Sequence, residues 1–201
     1  MNLTKKVYIA TARDIGEKCK IWASENMREG FELVEDLESS DIVVSILYDK
    51  IFKPNIVIEK QCYNFHPGIL PEYKGCGICS WAIINEEKYM GATLCVIDEN
   101  IDTGDIIDIR KFPIQKEDTS LSLFKKTEEL IYDMFTDWFY KLLQVDYVSC
   151  PQLKLKNNRI YYKKDLKNAM DLTKFARAFY FPGKPSAYYY DSSGKKKDIS
   201  F

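Results

Sequence analysis

Histidine is almost absent from this 201-residue chain, which contains only His66. Zinc sites need three or four cysteine, histidine or carboxylate ligands, so a histidine-based metal site is not expected. No apolar run approaches the roughly 20 residues of a membrane-spanning helix, and we expect no membrane association. The net charge of −1 gives no strong positive field, so nucleic acid is not an expected partner.

The N-terminus and the cysteines indicate the compartment. Residues 1–6 lack the long apolar region of a secretory signal peptide, which predicts a cytoplasmic protein. Six cysteines in that compartment are expected to be reduced thiols. Cys76 and Cys79 form a C-x-x-C pair, but a zinc site would need a second pair or more histidines. A redox role for this pair is the less favoured alternative.

The hydrophobic pattern predicts an α/β fold. Residues 7–10 and 41–47 are β-rich apolar runs typical of buried strands, and residues 14–26 between them have helical periodicity. A strand–helix–strand opening indicates parallel strands. No G-x-G-x-x-G loop follows the first strand, which excludes nicotinamide binding of the Rossmann type.

The rest of the chain continues this pattern. The apolar run 56–58 favours a strand region that leads into a loop at Pro67 and Gly68. After Cys150 the composition shifts towards tyrosine, lysine and asparagine. Further predicted elements are strands at 92–97 and 106–110, a helix capped at 118–120 that reaches 143, a short strand at 159–162 and a short helix at 172–179.

Asn64 and His66 are the first candidate functional residues. Residues i and i+2 of a strand point to the same face, so an amide and an imidazole would project together at the strand end. Loops at such ends often carry function. A lone histidine is nevertheless more often structural than catalytic. The acidic loop 98–105 is similarly ambiguous, since it could be a solvated turn or a Mg²⁺ or Ca²⁺ site.

The motifs around these residues resemble, in order and spacing, the formyltransferases that use 10-formyltetrahydrofolate. This chain departs from the usual motifs in two places. Residues 68–71 are Gly-Ile-Leu-Pro where the family usually has Ser-Leu-Leu-Pro, and residues 74–75 are Lys-Gly where it usually has Arg-Gly. Lysine carries a point charge, whereas the arginine side chain ends in a planar fork of donors. The matching segments are Asn64-x-His66-Pro67, Ile69-Leu70-Pro71, Tyr73-Lys74-Gly75, Trp81-Ala82-Ile83, Gly91-Ala92-Thr93 and Asp102-Thr103-Gly104-Asp105-Ile106-Ile107.

The resemblance implies a Rossmann-like, mostly parallel sheet flanked by helices. Its N-terminal part is expected to be shortened, with a strand–helix unit missing or compressed between residues 25 and 40. Residues 1–149 would form the catalytic domain. Residues 150–201 would form a small C-terminal extension that makes substrate or dimer contacts, and a homodimer is expected.

The resemblance also assigns the site. Asn64, His66 and Asp102 would be catalytic, with Asp105 as the competing carboxylate. The co-substrate would be 10-formyltetrahydrofolate, and no metal is needed. The predicted cofactor-binding residues are Lys50, Ile51, Phe52, Leu70, Asp98, Ile101 and Gly104. The predicted substrate-binding residues are Tyr73, Lys74 and Trp81, although core packing is the favoured role of Trp81.

The tail selects among the branches of this family. Arg177-Ala178 and Phe181-Pro182-Gly183 resemble the tail of the sugar N-formyltransferases. The predicted reaction is formylation of a nucleotide-linked amino sugar, such as a dTDP- or UDP-linked 4-amino-4,6-dideoxyhexose. The alternatives are a glycinamide ribonucleotide or methionyl-tRNA formyltransferase, and a folate- or nucleotide-sugar-binding protein without turnover. A glycine-rich first loop, expected of the first alternative, is missing.

Overall fold

The computed structural model describes residues 4–155, 160–161, 172–190 and 193–199. Its strands are β1 Lys5–Thr11, β2 Phe31–Leu33, β3 Ile42–Ile46, β4 Gln61–His66, β5 Lys74–Gly75, β6 Tyr89–Val96, β7 Ile106–Pro113, β8 Ile160–Tyr161, β9 Tyr188–Tyr190 and β10 Lys196–Asp198. Its helices are α1 Asp14–Asn26, α2 Pro54–Glu59, α3 Ile78–Ile84, α4 Ser120–Gln144 and α5 Leu172–Phe179.

One six-stranded sheet in the order β2-β1-β3-β4-β6-β7 organises the fold. Strands β1 to β4 pair in parallel. Strands β6 and β7 then continue the sheet in antiparallel pairs, beginning at the β4 edge. The predicted α/β fold with a sheet flanked by helices is confirmed, and the sheet is mixed because its last two pairings are antiparallel.

The structure bears on two local predictions, those for residues 25–40 and 56–58. The segment 25–40 retains the short strand β2 beside β1, and it returns to β3 through a loop in which Asp36 accepts backbone N–H groups of Glu38 and Ser39. The strand expected at residues 56–58 is wrong, because these residues belong to helix α2. Pro54 begins this helix, where proline is well tolerated because its missing N–H needs no partner.

Strand β4 separates two hydrophobic layers. Tyr63 and Phe65 point to the large core under α1 and α4, where Phe65 and Phe135 have ring centroids 5.9 Å apart. Cys62 points to the other face, in a smaller cluster that includes Ile56 of α2. Because strand side chains alternate, Asn64 and His66 project on the same side as Cys62.

Helix α4 begins at a complete N-terminal cap. Thr119 accepts the backbone N–H of Ser122 at 3.1 Å, and the Ser122 hydroxyl accepts the backbone N–H of Thr119 at 3.0 Å. Asp118, which is buried, accepts two hydrogen bonds from Lys126 at 2.8 and 2.9 Å. This cap fixes the start of the 25-residue helix that covers the sheet.

The Asp118 contacts predict a pH-dependent loss of stability. Burial alone would raise the pKa of Asp118, but hydrogen bonds from Lys126, Ser122 and the Gln115 N–H outweigh it and lower the pKa below 3.8. A lowered pKa in the folded state stabilises the protein above the unfolded-state value and loses that effect as the pH falls through the folded value. We expect Asp118→Asn to reduce the free energy of unfolding at pH 7 by about 1–3 kcal/mol.

Denaturant melts of Asp118→Asn at several pH values, beside the exposed neighbour variant Glu117→Gln, test this expectation. The difference from wild type should shrink as the pH falls below 4, whereas Glu117→Gln should remain near wild type. A constant deficit of Asp118→Asn across the whole pH range would contradict the argument.

The C-terminal extension packs on the rest of the chain. Helix α5 lies against α3, and the carbonyl of Ala178 accepts the hydroxyls of Ser80 and Ser120. Strand β8 pairs in parallel with β5, and the outer residues 159 and 162 of the predicted strand lie outside the described residues. Residues on both sides of the predicted boundary at 149–150 thus share one hydrophobic cluster. Within the described ranges, no helix is long and apolar enough to cross a bilayer.

Candidate active site

A cavity of about 670 Å³ lies on the face of the sheet to which Asn64 and His66 point. The loop after β3 and the loop between β6 and β7 form part of its wall. The starts of α3 and α4 and the extension also contribute, the last through Ile160, Phe181 and Lys184. Separate parts of the chain therefore meet around the two side chains from β4.

His66 is held between a carbonyl and a carboxylate. Its Nε2 lies 2.6 Å from the carbonyl oxygen of Tyr73, and its Nδ1 lies 3.5 Å from Oδ1 of Asp102. A carbonyl oxygen can only accept, so Nε2 carries a proton and donates it to Tyr73. In the neutral ring, Nδ1 is then the basic nitrogen. The His66 side chain is only 3% exposed, which fixes the orientation of the ring.

Asp102 is fixed from a second direction. Its Oδ2 accepts the backbone N–H of Gly75 at 2.8 Å, while Oδ1 faces His66. The competing carboxylate of Asp105 lies elsewhere, where its Oδ2 accepts the hydroxyl of Ser149 at 3.4 Å. Of the two predicted alternatives, Asp102 is the one that lies beside the imidazole.

Asn64 offers an unengaged amide to the cavity. It lies on β4 between Ser45 of β3 and Cys95 of β6, and it is half-buried in the cavity wall. Among the described residues, none forms a hydrogen bond with its side chain. An amide in this state can donate two hydrogen bonds to a bound molecule.

The loop that carries Asp102 has a tightly specified shape. The hydroxyl of Thr103 donates to the carboxylate of Asp98, with oxygen–oxygen distances of 2.6 and 2.7 Å. A Cβ atom on Gly104 would lie 2.0 Å from the carbonyl oxygen of Val96, so only glycine fits there. Asp102 itself adopts a left-handed conformation with φ of 52°. Left-handed backbone costs a non-glycine residue roughly 1 kcal/mol, so surrounding contacts must hold this turn.

Three cysteines, Cys76, Cys79 and Cys95, line the cavity. Burial, followed by the charges of Asp102 and Asp98, raises the pKa of the Cys95 thiol, which keeps it protonated. Cys76 is exposed and Cys79 is buried, and neither is joined in a disulfide. Over the ranges that the structure describes, no group of three or more histidine, cysteine and carboxylate side chains is placed to hold a metal ion.

The predicted cofactor-binding residues mostly line the cavity, whereas the predicted substrate-binding residues do not. Leu70 is fully buried behind the wall, where its N–H donates to the hydroxyl of Thr93 at 3.1 Å. Tyr73, Lys74 and Trp81 are buried outside the cavity lining, and the carbonyl of Tyr73 contacts His66. The cofactor-binding predictions found in the wall are Lys50, Ile51, Phe52, Asp98, Ile101 and Gly104.

Several contacts of the site have no counterpart in the sequence-based assignment. Gln152 donates from its amide to the carbonyl oxygens of Asp102 at 3.0 Å and Gly104 at 2.8 Å. Phe181 and Lys184 bring the extension to the cavity wall. The tail motif includes Phe181 but assigns no role to it. No pattern in the sequence distinguishes Gln152 from an ordinary surface glutamine.

Comparison with known proteins identifies the family. Residues 10–137, more than half of the chain, match the family model described as Formyl transferase. The chain belongs to the formyl transferase family. The matched region contains β4, the cavity loops and the first part of α4, so Asn64, His66 and Asp102 all lie within it.

Curated formyl transferases match the chain to different extents. The methionyl-tRNA formyltransferase of Caldanaerobacter subterraneus is 31% identical over 127 residues, which cover 61% of this chain and 41% of that protein. The GDP-perosamine N-formyltransferase of Brucella melitensis is 26% identical over 205 residues, which cover 90% of this chain and 77% of that protein. The chain thus spans less than half the length of the first relative.

Solved structures of formyl transferases share the fold. A sugar N-formyltransferase from Shewanella superposes with a TM-score of 0.84 at 21% identity, and the match covers 98% of this chain and 97% of that one. An N-formyltransferase from Helicobacter canadensis, in complex with folinic acid and dTDP-3-aminofucose, gives a TM-score of 0.74 at 20% identity, with coverage of 89% and 81%. These likenesses confirm the formyltransferase fold for the described chain.

Proposed function

We propose that the protein transfers a formyl group from 10-formyltetrahydrofolate to the amine of a nucleotide-linked amino sugar. The observation that carries the proposal is the set of Asn64, His66 and Asp102 around one cavity, with Asp102 Oδ1 3.5 Å from His66 Nδ1. Formyl transfer needs a donor for an oxyanion and a group that accepts a proton from the amine. This set supplies both.

Asn64 would stabilise the tetrahedral oxyanion. When the amine attacks the formyl carbon, negative charge develops on the formyl oxygen, and a fixed donor aimed at it lowers the barrier. Loss of one such donor typically costs about 3 kcal/mol of transition-state stabilisation. The amide of Asn64, which is free of other hydrogen bonds among the described residues, suits this role.

His66 and Asp102 would handle the proton. The Tyr73 carbonyl keeps a proton on Nε2, so the neutral ring can accept the proton of the attacking amine at Nδ1, directly or through a water. The resulting imidazolium would face the Asp102 carboxylate, which stabilises its charge. The Gly75 N–H keeps that carboxylate in place.

The cavity lining has surfaces that suit a folate and a nucleotide-linked sugar. Tyr48 and Phe52, with stacked rings whose centroids lie 5.3 Å apart, provide an aromatic wall for an apolar ring system. The lining also includes the cations Arg13, Lys50 and Lys184, which suit a diphosphate. We infer that the folate lies along the loop after β3 and the loop 98–104, in keeping with the predicted cofactor-binding residues.

The choice of an amino sugar as acceptor rests on the extent of the matches. The Brucella GDP-perosamine N-formyltransferase aligns over 90% of the chain, and the Shewanella sugar N-formyltransferase superposes over 98%. The methionyl-tRNA formyltransferase aligns over only 61%. The acceptor sugar is proposed to be a 4-amino-4,6-dideoxyhexose linked to dTDP or UDP, and the other branches remain outcomes of the test.

The decisive experiment is a transfer assay with 10-formyltetrahydrofolate and a panel of amine acceptors. The panel contains amino-sugar nucleotides with different bases, glycinamide ribonucleotide and methionyl-tRNA, and mass spectrometry detects an acceptor heavier by the mass of CO. Gain on a sugar nucleotide supports the proposal and names the acceptor. Gain only on glycinamide ribonucleotide or on methionyl-tRNA overturns the choice of acceptor. Folate binding without any transfer overturns the enzymatic proposal.

A homodimer is also proposed, with the C-terminal extension contributing to the interface. Tyr188 begins the β9–β10 pair and is 45% exposed, and Lys196 Nζ lies over its ring at 4.4 Å from the centroid, so both side chains are at the surface for such a contact. Light scattering of the purified protein should give twice the monomer mass of 23.5 kDa. A monomer at all concentrations would refute it.

A further inference from the structure

Gln152 contacts the turn that carries the proposed catalytic carboxylate. Its Nε2 donates to the carbonyl oxygens of Asp102 at 3.0 Å and of Gly104 at 2.8 Å. The two acceptors flank Thr103, so one amide group spans the turn. Gln152 lies 15 residues beyond the region that matches the family model, which ends at residue 137.

The chemistry of these contacts fixes the orientation of the Gln152 side chain. Both partners are carbonyl oxygens, which cannot donate, so the NH₂ group must face them. Its Oε1 is then buried, and no hydrogen-bond partner is found for it in the described part of the chain. A buried acceptor without a partner is unfavourable. The contact with the turn is thus retained at the expense of an unsatisfied oxygen.

The turn needs such support because Asp102 has a left-handed backbone, with φ of 52°. Within the loop, the carboxylate of Asp98 accepts the hydroxyl of Thr103 and the backbone N–H of Asn100. A second link to the extension runs through β5, which pairs with β8 and supplies the Gly75 N–H to Asp102 Oδ2. Residues beyond position 149 therefore touch Asp102 through its backbone and, indirectly, through its carboxylate.

We propose that Gln152 is a positioning residue, which holds the Asp102 turn so that the carboxylate stays beside Nδ1 of His66. The proposal rests on the proposed function, because it assigns Gln152 a part in that reaction. Gln152 acts only through Asp102 and is 3.0 Å from its backbone oxygen rather than from the reacting groups. The C-terminal extension would then help to position a catalytic residue, in addition to forming part of the cavity wall.

The first test is a double-mutant cycle on formyl transfer. Gln152→Met keeps the size of the side chain and removes both donors, and it should lower kcat by about 10- to 100-fold, as expected for a displaced catalytic group. In an Asp102→Asn background the same change should cost less than about twofold, since residues that act through one another are not additive. Equal losses in both backgrounds would overturn the proposal.

Gln144→Met is the matched control, because Gln144 is an exposed glutamine at the end of α4. It should retain the wild-type kcat. Gln152→Asn keeps the amide on a shorter side chain and should lie between wild type and Gln152→Met. This variant also replaces Gln152→Met in the cycle if circular dichroism shows that the methionine variant does not fold.

The second test needs no substrate. His66 is the only histidine of the chain, so its ring resonances in an NMR pH titration are unambiguous. Asp102→Asn should change the pH dependence of these resonances, Gln152→Met should change it in the same direction by a smaller amount, and Gln144→Met should match wild type. A Gln152→Met titration identical to wild type would overturn the proposal, even if the protein proved to have a different activity.

Discussion

Replacing His66 with asparagine lowers the rate of formyl transfer by about 10²- to 10⁴-fold, the usual contribution of a positioned acid–base group. The amide of asparagine is shorter than the ring, so it loses the hydrogen bond from Nε2 to the Tyr73 carbonyl, and it has no basic nitrogen in the place of Nδ1. The attacking amine then loses its proton acceptor, and Asp102 loses the cation that it would stabilise. The measurement is kcat with both substrates saturating.

The control for this variant is ligand binding. The affinity for a folate analogue, measured by calorimetry, should stay within about threefold of wild type, because His66 is 3% exposed and contributes little contact area. Asp102→Asn should give a loss of the same kind. If His66→Asn retains more than a tenth of the wild-type kcat, the ring is not the proton acceptor and the mechanism proposed above is wrong.

Truncation of Phe135 to alanine destabilises the protein by about 3–5 kcal/mol, the range for large aromatic side chains in cores. Phe135 is fully buried on α4. Its ring lies 5.8 Å from that of Trp22 on α1, 5.9 Å from Phe65 on β4 and 4.9 Å from Phe139. It therefore joins two helices to the strand that carries Asn64 and His66.

Denaturant unfolding followed by fluorescence and circular dichroism measures this loss. Val148→Ala is the matched control, since Val148 is 83% exposed and its truncation should change the free energy of unfolding by less than about 0.5 kcal/mol. Similar losses for the two variants would show that the aromatic cluster does not carry the stability of the fold.

Much of the fold could be predicted because its elements have strong local signals. Helix α1 was expected at 14–26 and lies there, since its apolar residues recur at helical spacing. The cap at 118–120 and the helix that follows are confirmed, because Thr119 is the N-terminal cap of α4, and the part of Ser122 in this cap was not predicted. The strand predicted at residues 56–58 is wrong, because a short apolar run suits either a strand or a helix and Pro54 starts a helix here.

The site was predictable only in part. The spacing of Asn64 and His66 places them on one face of a strand, as the structure has them. Asp102 was assigned from resemblance, since nothing local links it to a histidine 36 residues earlier. The Tyr73 carbonyl and the Gly75 N–H could not be assigned, because backbone groups have the same chemistry at every position and only the fold selects them.

The position of β4 inside the sheet also determines where the chain can tolerate the insertion or deletion of residues. Both of its edges are paired, with β3 on one side and β6 on the other. Deletion of a single residue within β4 would turn His66 towards the aromatic core and Phe65 towards the cavity, so stability and chemistry would fail together. The loop between β2 and β3 is not part of a strand, so a change in its length turns no side chain from one face of the sheet to the other. Natural variation in length among related chains should therefore accumulate there, and β4 should keep its length.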